Sequence, residues 1–253
     1  MAKILITGGT GNLGKSLTRL LSEKNIPYVV GSRINNSGAS NVAVMDLLKN
    51  EGIKEAVEGK EIIFHLATDP KNDTIASQNL LNAIDKNSNV QLIYISIVGI
   101  DKVPLSYYKQ KLASENAIKA CGIPYTILRA TQFHELINQV ISTALKFPLG
   151  LLPKKMVSQP ISTEVVAQEL FRLSLEKAEN RTYEIGGAEI LSVEQMAKEW
   201  LLQTGKKRWI LNLPIPGTLG KSLRNGSLAT INKKAESITW KQWLARCGSA
   251  YLR

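Results

Sequence analysis

The stretch that most constrains this chain is its beginning. Lys3-Ile4-Leu5-Ile6 is a short apolar run of strand character. It leads into Thr7-Gly8-Gly9-Thr10-Gly11-Asn12-Leu13-Gly14, and residues 15–21 read as a helix. Gly8 and Gly11 let the backbone turn tightly and come close to a ligand, while Gly14 lets the helix pack near the strand. Exposed N–H groups and the positive end of the helix dipole then face an anion. In this context, Gly8, Thr10, Gly11, Asn12, Leu13 and Gly14 form a candidate pyrophosphate cradle for a dinucleotide. The alternative is an ordinary glycine-rich loop that binds nothing.

The rest of the first half alternates. Strands are expected at 28–30, 42–45, 62–66, 91–96 and 125–129, and helices at 49–57, 74–85 and 106–120, the second with Ile75, Leu80, Leu81 and Ile84 on one side. The run at 62–66 is apolar apart from His65, as a parallel strand covered on both faces requires. This pattern predicts an α/β fold, a doubly wound parallel sheet with right-handed crossovers. Ligands of such sheets sit outside the carboxyl ends of the strands. One crevice should therefore gather Gly8 to Leu13, 31–33, Leu66 to Thr68 (with Ala67 and Thr68 at the cofactor), Ser96 to Val98, and 129–133. Beyond residue 150 the pattern loosens: a helix at 163–175, a strand at 182–185, a helix capped by Ser192, an extended piece at 208–213 and a last helix at 240–245. A cofactor-binding core at 1–150 and a smaller substrate-side α/β lobe at 151–253, interwoven with it, are expected.

Charge is unevenly spread. The net charge is +11, yet residues 202–253 hold ten Lys or Arg against one acid, Glu236. Such a segment attracts anions. It carries no nucleic-acid motif, so a basic solvated face is the simpler reading and nucleic acid is not an expected partner. No run of eighteen apolar residues exists to span a membrane, and no charged-then-apolar leader precedes the first strand. Cys121 and Cys247 lie far apart and read as unpaired thiols in a reducing cytoplasm. With His65 and His134 the only histidines, no metal site is expected.

The end of the second strand chooses between nicotinamide cofactors. An NAD site places an acid there for the ribose 2′-hydroxyl. Here the residues are Gly31-Ser32-Arg33. Arg33, with Ser32 as an additional donor, would attract a 2′-phosphate, so NADP(H) is the expected cofactor. Asp46, after the third strand, either sits by the adenine or caps the next helix.

The densest chemistry is at 106–115. Tyr107 and Lys111 are four apart, on one helix face. An ammonium near a phenol favours phenolate and brings a tyrosine acid toward working pH. The same lysine can bond the nicotinamide ribose, and Ser96 could polarise a carbonyl. Tyr108 competes with Tyr107, and chance spacing with Lys111–Glu115 as a surface pair is the plain alternative.

These segments, with 94–99, Leu128-Arg129-Ala130-Thr131-Gln132-Phe133-His134 and Gln159-Pro160-Ile161-Ser162, together resemble the short-chain dehydrogenase/reductase superfamily, most closely its atypical NmrA-like NAD(P)H-binding branch. The resemblance covers most of the first 175 residues. It implies a Rossmann fold with a small C-terminal lobe, NADP(H) held by the glycine loop and Arg33, Lys111 near the ribose, and a soluble oxidoreductase akin to quinone reductases and nucleotide-sugar epimerases. The chain departs from catalytic members in that only eleven residues separate Ser96 from Tyr107.

The resulting expectation is an NADPH-dependent reductase of a quinone, carbonyl or similar small electrophile, a monomer or small homo-oligomer. Its substrate would lie near Val98, Gln132, Phe133 and His134. The alternative is a non-catalytic NADP(H) redox sensor acting through a protein partner. An epimerase would favour NAD, against Arg33.

Overall fold

The computed structural model describes residues 3–35, 39–232 and 238–247. Lys233, Lys234, Glu236 and Arg253 of the basic segment lie outside the described residues. In chain order the elements are β1 (Ile4–Thr7), α1 (Asn12–Glu23), β2 (Tyr28–Ser32), β3 (Val42–Val44), α2 (Ile53–Val57), β4 (Ile62–His65), α3 (Asp73–Ala83), β5 (Gln91–Ile97), α4 (Ser106–Ala120), β6 (Tyr125–Ala130) and α5 (His134–Ala144). They continue with β7 (Leu149–Leu152), β8 (Val157–Ser158), α6 (Thr163–Ser174), β9 (Arg181–Ile185), β10 (Leu191–Ser192), α7 (Val193–Thr204), β11 (Trp209–Asn212), α8 (Gly217–Arg224) and α9 (Trp240–Cys247).

A seven-stranded sheet has the order β3-β2-β1-β4-β5-β6-β9, and its pairs from β3 through β5 are parallel. This is the doubly wound α/β fold expected from the alternation. The order reverses between β1 and β4, so the ends of these two strands, Thr7 and His65, flank the switch point where such sheets bind ligands.

The chain forms two compact units, each threaded from separate segments rather than divided once at residue 150. The first comprises Met1–Ile97, Leu105–Arg129 and Val166–Tyr183, and the second Val98–Pro104, Ala130–Val165 and Glu184–Arg253. The first unit's core includes Leu5, Ile63, Leu80, Leu92, Tyr94 and Ile127. Helix α1 buries Leu13, Leu17 and Leu21, one residue per turn on one face. Each buried leucine contributes about 2 kcal/mol. The second unit's core gathers Ile137, Ile141, Met196, Trp200, Trp240 and Trp243. Its helix α7 starts with a capping box, in which the Ser192 hydroxyl accepts from the Gln195 N–H.

Three local expectations are corrected. Helix α1 starts at Asn12, not Lys15, because extended Gly11 is already its N-cap. Helix α2 is confined to Ile53–Val57, because Asn50 and Gly52 adopt left-handed conformations (φ 59° and 64°) that break the first turn of the expected 49–57 helix. Ile75 is exposed, and α3 buries Ala76, Ser77, Leu80 and Leu81 instead. No described helix is long and apolar enough to cross a membrane.

Candidate functional site

A cleft of about 380 Å³ opens in the first unit at the switch point. It is lined by Gly8, Thr10 and Gly11 after β1, by Ser32 and Arg33 after β2, by Asp46 after β3, and by Ala67, Thr68 and Asp69 after β4. Eight of the residues expected to hold a dinucleotide are thereby brought together.

The local backbone explains the cradle. Gly8 has φ 70°, and a Cβ there would lie 2.5 Å from the Ala67 nitrogen, so no other residue fits. The Gly11 N–H closes the turn onto the Gly8 carbonyl at 3.0 Å. Gly14 is buried on α1, where a Cβ would meet the Gly8 oxygen at 2.2 Å. Gly11 caps α1 without a side chain, and the first turn contains no acid. The first-turn N–H groups of Asn12, Leu13 and Gly14 thus have neither an intrahelical partner nor a capping side chain, which is the donor set a pyrophosphate requires. These three residues act through their backbone: the Leu13 side chain is in the core.

At the adenosine end, Arg33 is exposed and free to reach the cleft. Ser32 is less available than expected: its hydroxyl donates to the Ile34 carbonyl at 2.9 Å. Asp46 accepts from the Leu48 and Lys49 N–H groups at 2.9 and 3.1 Å, closing a turn rather than capping a helix. The Lys49 bond leads in holding its carboxyl below the usual range, and Arg33 contributes. The positive charge at this rim therefore has an acid nearby.

Below the cleft lies a buried polar network. Asp73, the first residue of α3, receives the Thr68 hydroxyl at 2.8 Å, the Tyr94 hydroxyl at 2.8 Å and the Ser114 hydroxyl at 3.0 Å. Lys111 Nζ lies 3.5 Å from it and donates to the Tyr94 hydroxyl at 3.0 Å and the Ile95 carbonyl at 3.2 Å. Burial works against the Asp73 charge, but Lys111 and the Tyr94 and Thr68 hydroxyls outweigh it and hold the carboxyl below its usual range. Burial draws the Lys111 ammonium down against the pull of Asp73. Alongside, His65 bridges the Thr7 hydroxyl at 2.8 Å and the Ser77 hydroxyl at 3.0 Å.

This network revises the expected catalytic helix. Lys111 is 2% exposed, committed to Asp73 and absent from the lining of the cleft. The Tyr107 hydroxyl instead contacts Thr68 Oγ1 at 2.9 Å. Because the Thr68 proton goes to Asp73, Tyr107 is the donor in that contact. Burial pushes its phenol up rather than down. Tyr108 is buried, its phenol pushed up to about 12 by burial. Ser96 is also buried and faces the Glu115 carboxylate. Glu115 is no surface partner of Lys111: it is fully buried and clamped by Arg129 through two 2.8 Å bonds.

The residues expected to meet substrate belong to the second unit. Val98 is buried, with its N–H on the Ala130 carbonyl at 3.0 Å. Gln132 is wired into the fold: its amide donates to the Leu228 carbonyl at 3.2 Å and its oxygen accepts from Ser158 and the Gln159 N–H. Phe133 is half-buried at the start of α5. His134 is fully buried, stacked on Trp240 and Trp243 at 5.9 and 5.5 Å between ring centroids, so it is a core residue rather than a substrate ligand.

The sequence reading missed Asp73, Tyr94, Ser114 and Ser77. The available signal was a histidine and a tyrosine inside the apolar strands β4 and β5, since buried polar groups demand partners.

Comparison with known proteins agrees with the cleft. The Escherichia coli (strain K12) protein Quinone oxidoreductase 2 is 24% identical over 222 residues, 83% of this chain and 77% of that protein. The crystal structure of an E. coli NADPH-dependent quinone oxidoreductase complexed with NADPH superimposes with a TM-score of 0.78 at 21% identity, covering 96% of this chain and 99% of that one. A nucleoside-diphosphate-sugar epimerase structure from Staphylococcus aureus gives 0.78 at 16% identity, with coverage of 96% and 99%. The two structures establish likeness of fold. A family profile described as NAD(P)H-binding matches residues 8–173, from the glycine turn through nearly all of α6, and the chain belongs to that family.

Proposed function

We propose that this chain is an NADPH-dependent oxidoreductase that reduces a quinone or a similar small electrophile. The observation that carries the reading is the cleft itself: a glycine cradle under the free end of α1, with Arg33 and no acid at the end of β2. Resemblance to an E. coli quinone oxidoreductase over most of both chains supports the substrate class. NADPH held there supplies a hydride. Gly8, Gly11 and the first turn of α1 bind the pyrophosphate, and Arg33 attracts the 2′-phosphate. Tyr107, its hydroxyl fixed by Thr68 at the cleft wall, stands where a proton can be exchanged with substrate or water. A quinone suits so weak an acid, because the hydroquinone anion left by hydride addition takes its proton from water as readily as from a phenol.

The test is NADPH oxidation by the purified chain across a panel of quinones and aldehydes, with NADPH and NADH affinities measured in parallel. Turnover with quinones, tighter NADPH binding, and a selective loss of at least about tenfold in NADPH affinity for Arg33→Ala are expected. No oxidation across the panel refutes the reductase, and equal loss of both cofactors refutes the role of Arg33.

One observation favours a second reading, a non-catalytic NADP(H) redox sensor acting through a protein partner. The lysine that would activate a catalytic tyrosine is locked onto Asp73. This reading requires tight cofactor binding without turnover, and a partner whose affinity differs between NADP and NADPH.

A further inference from the structure

The second unit carries an apolar face unrelated to the cleft. Strands β7 and β11 form a two-stranded parallel ribbon with Leu149 opposite Trp209 and Leu151 opposite Leu211. Opposed residues share a face of a ribbon, and faces alternate along each strand. Gly150 and Leu152 are buried, whereas Leu149 and Leu151 are each 55% exposed, Leu211 49% and Trp209 78%. Phe147 before β7 and Leu213 after β11 extend the exposed apolar run at its two ends. A contiguous exposed patch of this kind marks a contact surface.

Its charge surroundings are one-sided. No acid occurs at 145–162 or at 201–232. At one end of the ribbon the Trp209 N–H donates to the Pro148 carbonyl at 2.8 Å, which sets Lys207 and Arg208 beside Lys146 and Phe147. At the other end the Leu213 N–H donates to the Leu152 carbonyl at 2.8 Å, next to Lys154 and Lys155. Lys154 is paired with Glu194 at 3.1 Å, whereas Lys146, Lys155 and Lys207 are exposed.

We infer that the outer face of the β7–β11 ribbon docks on an anionic lipid surface. A second copy of the chain would meet this face isologously and set Lys146 and Lys207 against their own copies. Nucleic acid would use the bases but has no need of four exposed leucines. A bilayer carrying acidic headgroups uses both features: leucines and an interfacial tryptophan enter the acyl boundary, and lysines stay at the headgroups. Such contact is peripheral and needs no spanning helix.

Trp209 is its own reporter, because Trp200, Trp240 and Trp243 are buried. The full chain is mixed with vesicles of phosphatidylcholine alone, or of phosphatidylcholine with phosphatidylglycerol, and followed by co-sedimentation and acrylamide quenching. Binding to the anionic vesicles only, with loss of the quenchable fluorescence, is expected. Trp209→Ser and the pair Lys146→Glu, Lys207→Glu should each weaken sedimentation about tenfold, with near-ultraviolet dichroism of the buried tryptophans reporting an intact fold. Four outcomes overturn the inference: no binding to either vesicle, equal binding to both, protection of Trp209 by raising protein concentration without lipid, or protection by a nucleic-acid oligomer but not by vesicles.

Discussion

Thr68 is the residue through which the buried network reaches the cleft. It donates to Asp73 and accepts from Tyr107, so its hydroxyl fixes the Tyr107 ring orientation. If Tyr107 exchanges a proton in turnover, Thr68→Val should lower kcat about tenfold with quinone, and Thr68→Ser should restore it. Tyr107→Phe should cost a similar factor, and the double variant Thr68→Val, Tyr107→Phe should be no worse than Tyr107→Phe alone, because both remove one coupled unit. Steady-state kinetics of the four proteins decides it: additive losses would mean that Thr68 acts independently of Tyr107. At this scale the sequence was legible where backbone geometry dictates residue type, as at Gly8 and Gly14. It was not legible where a side chain chooses among partners. The four-residue spacing put Tyr107 and Lys111 on one face of α4, but nothing in that spacing announces that Asp73, 38 positions upstream of Lys111, captures the lysine.

Among elements, α1 shows how packing outweighs propensity. Alanine in place of Gly14 would gain about 1 kcal/mol of helix propensity. Its Cβ, however, would sit 2.2 Å from the Gly8 oxygen and 2.6 Å from the Gly9 Cα, all of it backbone that cannot yield cheaply. Overpacking of this kind costs about 1–3 kcal/mol or more, so Gly14→Ala should lower the thermal midpoint and weaken NADPH binding together. A variant with an unchanged midpoint would show that the loop and helix can separate without loss. Elements with a clean signal were readable: α4 occupies the expected 106–120, and Ser192 caps α7 through Gln195. Helix α5 was hidden because Ile137, Val140, Ile141 and Thr143 are β-branched and extended in preference, and only the packing of Ile137 and Ile141 in the second unit selects the helix. Strand β11 falls within the extended piece expected at 208–213, whereas β7 carried no local mark, and the two pair sixty positions apart, a long-range choice.

Across the whole molecule, each unit buries one of the chain's two histidines, and this contributes to its response to acid. His65 and His134 are both held down to about 4, in each case chiefly by burial. Asp73 works against that effect at His65, and Glu164 works against it at His134. In the unfolded chain a histidine titrates near 6.5, so the unfolded state takes up protons first as pH falls. The stability each neutral ring contributes is present above about pH 6.5 and is lost between there and about pH 4, on the order of 3 kcal/mol per histidine. Glu135 and Glu199, whose carboxyls burial raises, oppose the trend by taking protons earlier when folded. The two histidines differ in a way that isolates the effect. His65 has hydroxyl partners on both nitrogens, and removing the ring takes a partner from Ser77 and leaves Thr7 only the Ala67 N–H. Neither nitrogen of His134 has a hydrogen-bond partner among the described residues, and its ring is stacked on Trp240 and Trp243. His134→Phe should therefore keep or raise stability at pH 7 while flattening the decline toward pH 4. His65→Phe should cost about 1–3 kcal/mol at pH 7 through the two lost hydroxyl bonds. Denaturant melts of both variants and the parent from pH 7 to pH 4 measure this, and a parallel decline in His134→Phe and the parent would show that the acid response belongs to the carboxylates.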